Sequence, residues 1–122
     1  MKKGILICLG SAVLLAGCYY DVEEELYPFA GNCDTTNVQY ATSIVPILQS
    51  NGCKSCHSGG APSGNISLET YTQVRNVALD GRLLGAVSHS AGFTPMPQGG
   101  NKLTECNINK IRAWVNSGAP EN

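Results

Sequence analysis

The pentapeptide Cys-Lys-Ser-Cys-His at residues 53–57 constrains this chain more than any other feature. Two cysteines three positions apart lie within one turn of the chain, so both thiols reach the same edge of a flat ligand. The histidine that follows is held beside the centre of that ligand. This is the spacing of c-type haem attachment, which predicts that Cys53 and Cys56 bond to the porphyrin and that His57 is the proximal iron ligand.

Two other chemistries use the same cysteines. A zinc site needs Cys53, Cys56 and two further thiols, but it does not explain a histidine directly after the pair. A thioredoxin-like dithiol follows a strand of a βαβ unit, whereas the apolar residues within 40–50 recur at near-helical spacing. Covalent haem is therefore the preferred interpretation, with structural zinc binding and dithiol redox chemistry as open alternatives.

The Thr-Pro-Met-Pro segment at residues 94–97 contains the best candidate for the distal iron ligand, Met96. Prolines on both sides restrict φ and remove two N–H donors, which predicts a stiff extended loop that presses one side chain onto the iron. His89 is the rival ligand, although a histidine in such a polar segment is more often a surface or loop-stabilising residue. A methionine ligand raises the reduction potential relative to a histidine.

The N-terminal segment indicates export. A basic start, Met-Lys-Lys, precedes an uncharged apolar run over residues 4–17, shorter than the roughly 20 residues of a membrane-spanning helix. Residues 15–18, Leu-Ala-Gly-Cys, resemble the bacterial lipobox, in which the cysteine is lipidated and the preceding segment is removed. We therefore predict a signal peptide over 1–17 and a lipid anchor on Cys18, in the cell envelope, at the periplasmic face or the cell surface.

An acidic stretch follows the lipobox. Residues 18–36 include a cluster of four acidic side chains, then Pro28 and Gly31, without a helical or strand period, which predicts a flexible tether. Acidic residues just after a lipidated cysteine resemble the surface-export signals of some Bacteroidetes lipoproteins; a plain solvated linker is the alternative. The net charge of −1 argues against nucleic-acid binding.

The rest of the chain, residues 37–122, predicts an all-α domain. A first helix starts near Ile44, so that Pro46 falls in its first turn. Ser67 is the predicted cap of a second helix over residues 68–79, and residues 82–87 form a further short helix.

The last helix is predicted from its ends and its apolar face. Thr104 caps it and Gly118 stops it, while Ile108, Ile111 and Val115 recur along one side, with Trp114 beside them.

These features together resemble the class I (monohaem) cytochromes c, in particular the lipoprotein-type domains of Bacteroidetes. The resemblance runs from about residue 37 to 122 and depends on the CKSCH motif, the TPMP loop and the closing KIRAWVNSGAP segment. It implies an all-α fold wrapped round one covalent haem and a role in electron transfer. It also implies that the first and last helices cross and that Trp114 packs on the haem edge; ordinary core packing is the alternative for that side chain.

The implied helix crossing gives the two remaining cysteines a role. Cys33 precedes the first helix and Cys106 lies in the first turn of the last, so crossed helices bring these thiols within bonding range in an oxidising compartment. We expect a disulfide, with free thiols as the alternative.

The sequence thus predicts a membrane-tethered monomer that passes single electrons between redox proteins and catalyses no reaction on a substrate. A haem enzyme or sensor with a displaceable methionine, similar to a peroxidase, is the alternative, and a structural zinc domain a remote one. Lys54 and Lys102 flank the two ligand-bearing segments and are candidates for a basic docking rim, although isolated lysines are usually just solvated.

Overall fold

The computed structural model of this protein describes residues 33–122. The predicted signal peptide (1–17), the lipidation of Cys18 and the tether up to residue 32 lie outside the described residues. Within 33–122 every regular element is a helix and none is a strand, which confirms the all-α class. No helix in this range is long and apolar enough to cross a bilayer.

The first helix begins earlier than predicted. A π-helical segment, Tyr40–Ile44, runs directly into α1, Val45–Ser50, and Pro46 lies in the first turn of α1, where a missing N–H costs nothing. The expected start near Ile44 is therefore correct for α1 but omits the π-helical segment.

The start of that π-helical segment is capped from the far end of the chain. The Gln39 side chain makes no cap hydrogen bond. Instead, Asn122 accepts from the backbone N–H of Tyr40 through Oδ1 (2.7 Å) and from that of Ala41 through its carbonyl oxygen (3.0 Å). These bonds satisfy two of the N–H groups that a helix start leaves without an internal partner.

The next long helix starts three residues later than predicted. Helix α3 spans Tyr71–Leu79 and is capped by Thr70, whose hydroxyl accepts from the N–H of Gln73 while the Gln73 side chain accepts from the N–H of Thr70. The prediction of Ser67 as the cap is wrong, because this reciprocal capping box satisfies two donors at once. The Ser67 hydroxyl donates to Gln73 Oε1 instead.

The short helix α2, Cys53–Cys56, separates α1 from α3 along the chain. Helix α4, Arg82–Val87, has the predicted bounds, and Gly81 joins it to α3 with a φ of 86°, which a glycine adopts without strain.

Both predicted ends of the last helix are confirmed. Helix α5 spans Glu105–Asn116, and the Thr104 hydroxyl accepts from the N–H of Asn107 at 3.3 Å. Gly118 follows the helix with a φ of 91°, in the left-handed region that ends helices.

The core includes the contact between α5 and the π-helical segment. Trp114 is fully buried, stacks on Tyr40 with ring centroids 5.5 Å apart, and donates from Nε1 to the carbonyl of Pro120 at 2.9 Å. Tyr71 reaches the same C-terminal segment, since its hydroxyl donates to the Ala119 carbonyl at 2.7 Å. The other large, fully buried side chains are Ile44, Leu48, Val74, Ile108 and Ile111.

The expected disulfide is present and joins the beginning of the described residues to α5. Cys33 and Cys106 are bonded, with an S–S distance of 2.05 Å and Cα atoms 5.5 Å apart. The bond attaches residues 33–36, which were predicted to belong to the tether, to the first turn of α5. A link between residues 73 apart stabilises by about 4 kcal/mol on the chain-entropy model.

Candidate functional site

The CKSCH motif forms a single helical turn followed by the histidine. Cys53 and Cys56 are the first and last residues of α2, and Gly52 before them has a φ of 67°, which allows the tight junction with α1. The backbone N–H of His57 donates to the carbonyl of Cys53 at 3.1 Å. This turn places all three side chains on one cavity.

That cavity has a volume of about 590 Å³, within the range of roughly 300–1,000 Å³ that small-molecule and cofactor sites occupy. The motif lines one part of it and the Met96–Pro97 segment another. Its lining surface is mostly apolar, and the aliphatic residues that contribute to it are Ile66, Leu68, Val77, Leu83, Ala86, Val87 and Leu103. The cavity is therefore suited to a large apolar ligand that touches both segments.

His57 is held in one orientation by its Nδ1 atom. Nδ1 lies 2.9 Å from the carbonyl oxygen of Ile66, and that oxygen only accepts, so Nδ1 carries the proton. The His57 carbonyl accepts from the N–H of Leu68 at 2.7 Å, which fixes the same residue through its backbone.

The Nε2 atom of His57 has the form that binds metals. In the neutral ring Nε2 carries the lone pair, because Nδ1 carries the proton. It has no hydrogen-bond partner within residues 33–122 and is not a fully buried atom, and His57 is one of the residues that line the cavity. A ligating histidine commonly donates its other ring N–H to a carbonyl in this way.

The two thiols of the motif are free. Cys56 is exposed and Cys53 is half-buried. Burial raises the pKa of the Cys53 thiol, whereas an activated redox cysteine has a lowered pKa. Within the described part of the chain no strand precedes the pair. Both observations argue against the dithiol alternative.

The donor set does not favour the zinc alternative either. The two additional thiols, Cys33 and Cys106, are bonded to each other. Residues 33–122 contain no cluster of three or more His, Cys, Asp and Glu side chains arranged to hold a metal ion.

Met96 lines the cavity and is held through both of its backbone polar groups. Its N–H donates to the carbonyl of Ala86 at 3.0 Å, and its carbonyl lies 3.1 Å from Nε2 of His89. Residues 91–95 and 98–102 around it are exposed, whereas Met96 and Pro97 are half-buried. The loop thus presents Met96 to the cavity from an otherwise solvated segment.

His89, the rival ligand, does not line the cavity. Its Nε2 atom lies 3.1 Å from the Met96 carbonyl, within hydrogen-bond distance.

Trp114 does not line the cavity either, since it is buried against Tyr40 in the core. The aromatic side chain at the cavity is Phe93, which is 39% exposed. Phe93 packs on Gly85, where a Cβ atom would overlap its ring. The sequence signal for Phe93 was a large apolar residue in a polar, glycine-containing loop just before the TPMP segment.

Charge near the cavity is sparse. Arg82 lines it, and its guanidinium pairs with Asp80 at 2.7 Å, which lowers the pKa of that carboxyl. Lys102 is exposed and pairs with Glu105, and neither Lys54 nor Lys102 lines the cavity. A basic rim formed by these two lysines gains no support, because the charge of Lys102 is largely offset by its neighbour.

No family model, no curated protein and no solved structure matches this chain. The features of this protein that bear on its function are therefore the motif, the cavity and the residues that line it.

Proposed function

We propose that this protein is a monohaem c-type cytochrome that transfers single electrons between redox proteins. The observation that carries the proposal is one cavity lined by Cys53, Cys56 and His57, and also by a methionine, Met96. A thiol pair, an imidazole and a thioether in one mostly apolar pocket match the donors of a covalent His/Met haem.

Both cysteines are available for attachment. Each thiol would add across one vinyl group of a haem, with the S–H bond replaced by S–C and C–H bonds and with no oxidant or reductant consumed. The reaction needs Cys53 and Cys56 as free thiols, which is how they occur. The placement of both residues in one helical turn explains how they serve one edge of a porphyrin.

His57 supplies the proximal ligand through Nε2. The Ile66 carbonyl keeps the proton on Nδ1, holds the ring in one orientation and makes the imidazole a stronger donor to iron. Met96 supplies the distal ligand through its sulfur, which favours a higher potential than a second histidine would. The apolar part of the cavity lining would also favour the less charged, reduced form of a bound haem.

When bound, the haem supplies a one-electron couple between ferric and ferrous iron. The chain performs no bond chemistry on a substrate in this role. It binds the haem, provides the iron ligands and sets the polarity of the surroundings of the haem. The polar side chains that line the cavity and could bind the two propionate carboxylates are Asn51, Ser63, Arg82, Thr94 and Gln98.

The cellular setting is part of the proposal. The lipobox at Cys18 would attach the protein to a membrane of the bacterial envelope, and the acidic segment after it would act as a tether. The Cys33–Cys106 disulfide fits an oxidising compartment outside the cytoplasm, where haem is attached to such motifs. The partners in this setting are other redox proteins.

One observation favours a haem enzyme or sensor as the second candidate. The loop that carries Met96 is exposed on both sides of it, so displacement of the methionine requires little unpacking. Ligation in solution distinguishes the two functions: an electron carrier keeps methionine on ferric iron, whereas an enzyme or sensor exchanges it for a small ligand.

The test is expression of the full chain in a host with haem c maturation. We expect a red protein whose haem stays attached after denaturation, and a ferric spectrum with the far-red band of methionine ligation. The Cys53→Ala, Cys56→Ala double variant should lose covalent haem, whereas the Cys33→Ser, Cys106→Ser control should keep it. A wild-type protein without haem absorption would refute the proposal.

A further inference from the structure

We infer that His89 is a positioning residue that holds Met96 at the cavity through a hydrogen bond to its carbonyl. The inference rests on the proposed function and adds a residue that is neither a ligand nor part of the cavity wall. It is carried by the contacts between the end of α4 and the Met96 loop.

Both backbone groups of Met96 are bound by the same short segment. Its N–H donates to the carbonyl of Ala86 at 3.0 Å, and its carbonyl accepts from His89 at 3.1 Å. Because a carbonyl only accepts, Nε2 of His89 carries the proton in this contact. The Ala86 carbonyl also accepts from the N–H of His89 at 3.2 Å, so one carbonyl orients both residues.

The neighbours of Met96 provide little other support. Pro95 and Pro97 have no N–H, so Met96 has the only backbone donor within residues 95–97. At its two ends the loop is joined to α4, since Ser90 donates to the Gly85 carbonyl at 2.9 Å and Leu103 to the Val87 carbonyl at 3.2 Å. Between these ends the other backbone hydrogen bonds are local turns, in which Phe93 donates to Ser90 and Gly100 to Pro97. Two hydrogen bonds, one of them from His89, therefore connect the ligand-bearing residue to the helical body.

The backbone of His89 directs its side chain to this contact. Its φ is 53°, in the left-handed region, where Asn and Asp are also tolerated. Asparagine therefore meets the backbone requirement at this position, but its shorter side chain does not match the reach of Nε2. Glutamine places an amide N–H about as far from the backbone as Nε2 of histidine, but it suits the left-handed backbone less well.

This difference separates a positioning role from a merely structural one. We compare H89N and H89Q with the wild type and with M96A in the haem-loaded full chain. Imidazole is titrated into the ferric protein, and the loss of the far-red methionine band reports displacement of Met96. If His89 only supports the backbone, imidazole should displace Met96 more easily in H89Q than in H89N. If His89 positions Met96, imidazole should displace Met96 more easily in H89N.

We expect H89N to lower the half-saturating imidazole concentration about fivefold, as for the loss of one hydrogen bond, and H89Q to remain close to wild type. If H89N matches the wild type while M96A binds imidazole far more tightly, the positioning role is refuted and methionine ligation stands. If the wild type already behaves as M96A does, Met96 is not a ligand, and this part of the proposed function fails together with the inference.

Discussion

Replacing Trp114 by phenylalanine distinguishes a core residue from one that packs on a haem. The indole donates to the Pro120 carbonyl at 2.9 Å and stacks on Tyr40, fully buried. Trp114→Phe removes that hydrogen bond, worth about 1 kcal/mol, and buried ring atoms worth about 2 kcal/mol at ~0.8 kcal/mol per group. We therefore expect the free energy of unfolding to fall by roughly 3 kcal/mol.

The assay is denaturant unfolding of the haem-loaded protein, followed by far-ultraviolet circular dichroism, together with its absorption spectrum and reduction potential. Tyr71→Phe is the matched control, since it removes one hydrogen bond to the same C-terminal segment without changing the packed volume, and it should cost about 1 kcal/mol. Because Trp114 does not line the cavity, the absorption spectrum and the reduction potential of the Trp114→Phe variant should match those of the wild type. A shifted Soret band or potential with unchanged stability would refute this reasoning.

Three further predictions concern the disulfide, the cap that Asn122 provides and the contact between Gly85 and Phe93. The Cys33→Ser, Cys106→Ser double variant should lose about 4 kcal/mol of unfolding free energy in denaturant titrations, and a loss below about 1 kcal/mol would contradict the loop-closure argument. Asn122→Ala should lower stability by about 1 kcal/mol and speed amide exchange in the first helical segment; unchanged exchange there would mean that the cap is not formed in solution. Gly85→Ala should displace the Phe93 ring and tighten imidazole binding to the ferric protein. An unchanged binding curve would show that the ring does not restrict access of imidazole to the proposed haem iron.

Local signals account for the helix ends that the sequence predicted correctly. Thr104 caps α5 and Gly118 ends it because a cap acts within a few residues of chain. The wrong prediction of the cap of α3 also concerns residues close together in the chain. Thr70 and Gln73 form a capping box whose residues are recognisable in the sequence, whereas Ser67, the predicted cap, lacks the reciprocal partner.

The motif itself was also readable from sequence. Cys53, Cys56 and His57 lie within five residues, so one helical turn brings them together whatever the rest of the chain does. The chemistry proposed for them is predicted from residue type and spacing, and the structure adds the Nδ1 contact of His57 with Ile66.

Contacts between distant segments were decided by tertiary structure. The cap that Asn122 provides for Tyr40 joins residues 82 apart, and no local pattern indicates it. The choice between Trp114 and Phe93 as the aromatic at the cavity depended on which face of each segment the packing buried. Periodicity identifies an apolar face, but it does not say which partner that face meets.

The sequence by itself therefore determined the all-α class, the haem-type motif and the candidate ligand Met96, because each depends on residues close together in the chain. Only the tertiary structure assigned His89 to the Met96 carbonyl, Trp114 to the core and Phe93 to the cavity. The physical reason is that these contacts depend on how the helices pack, and packing is set by the whole buried surface rather than by any single segment.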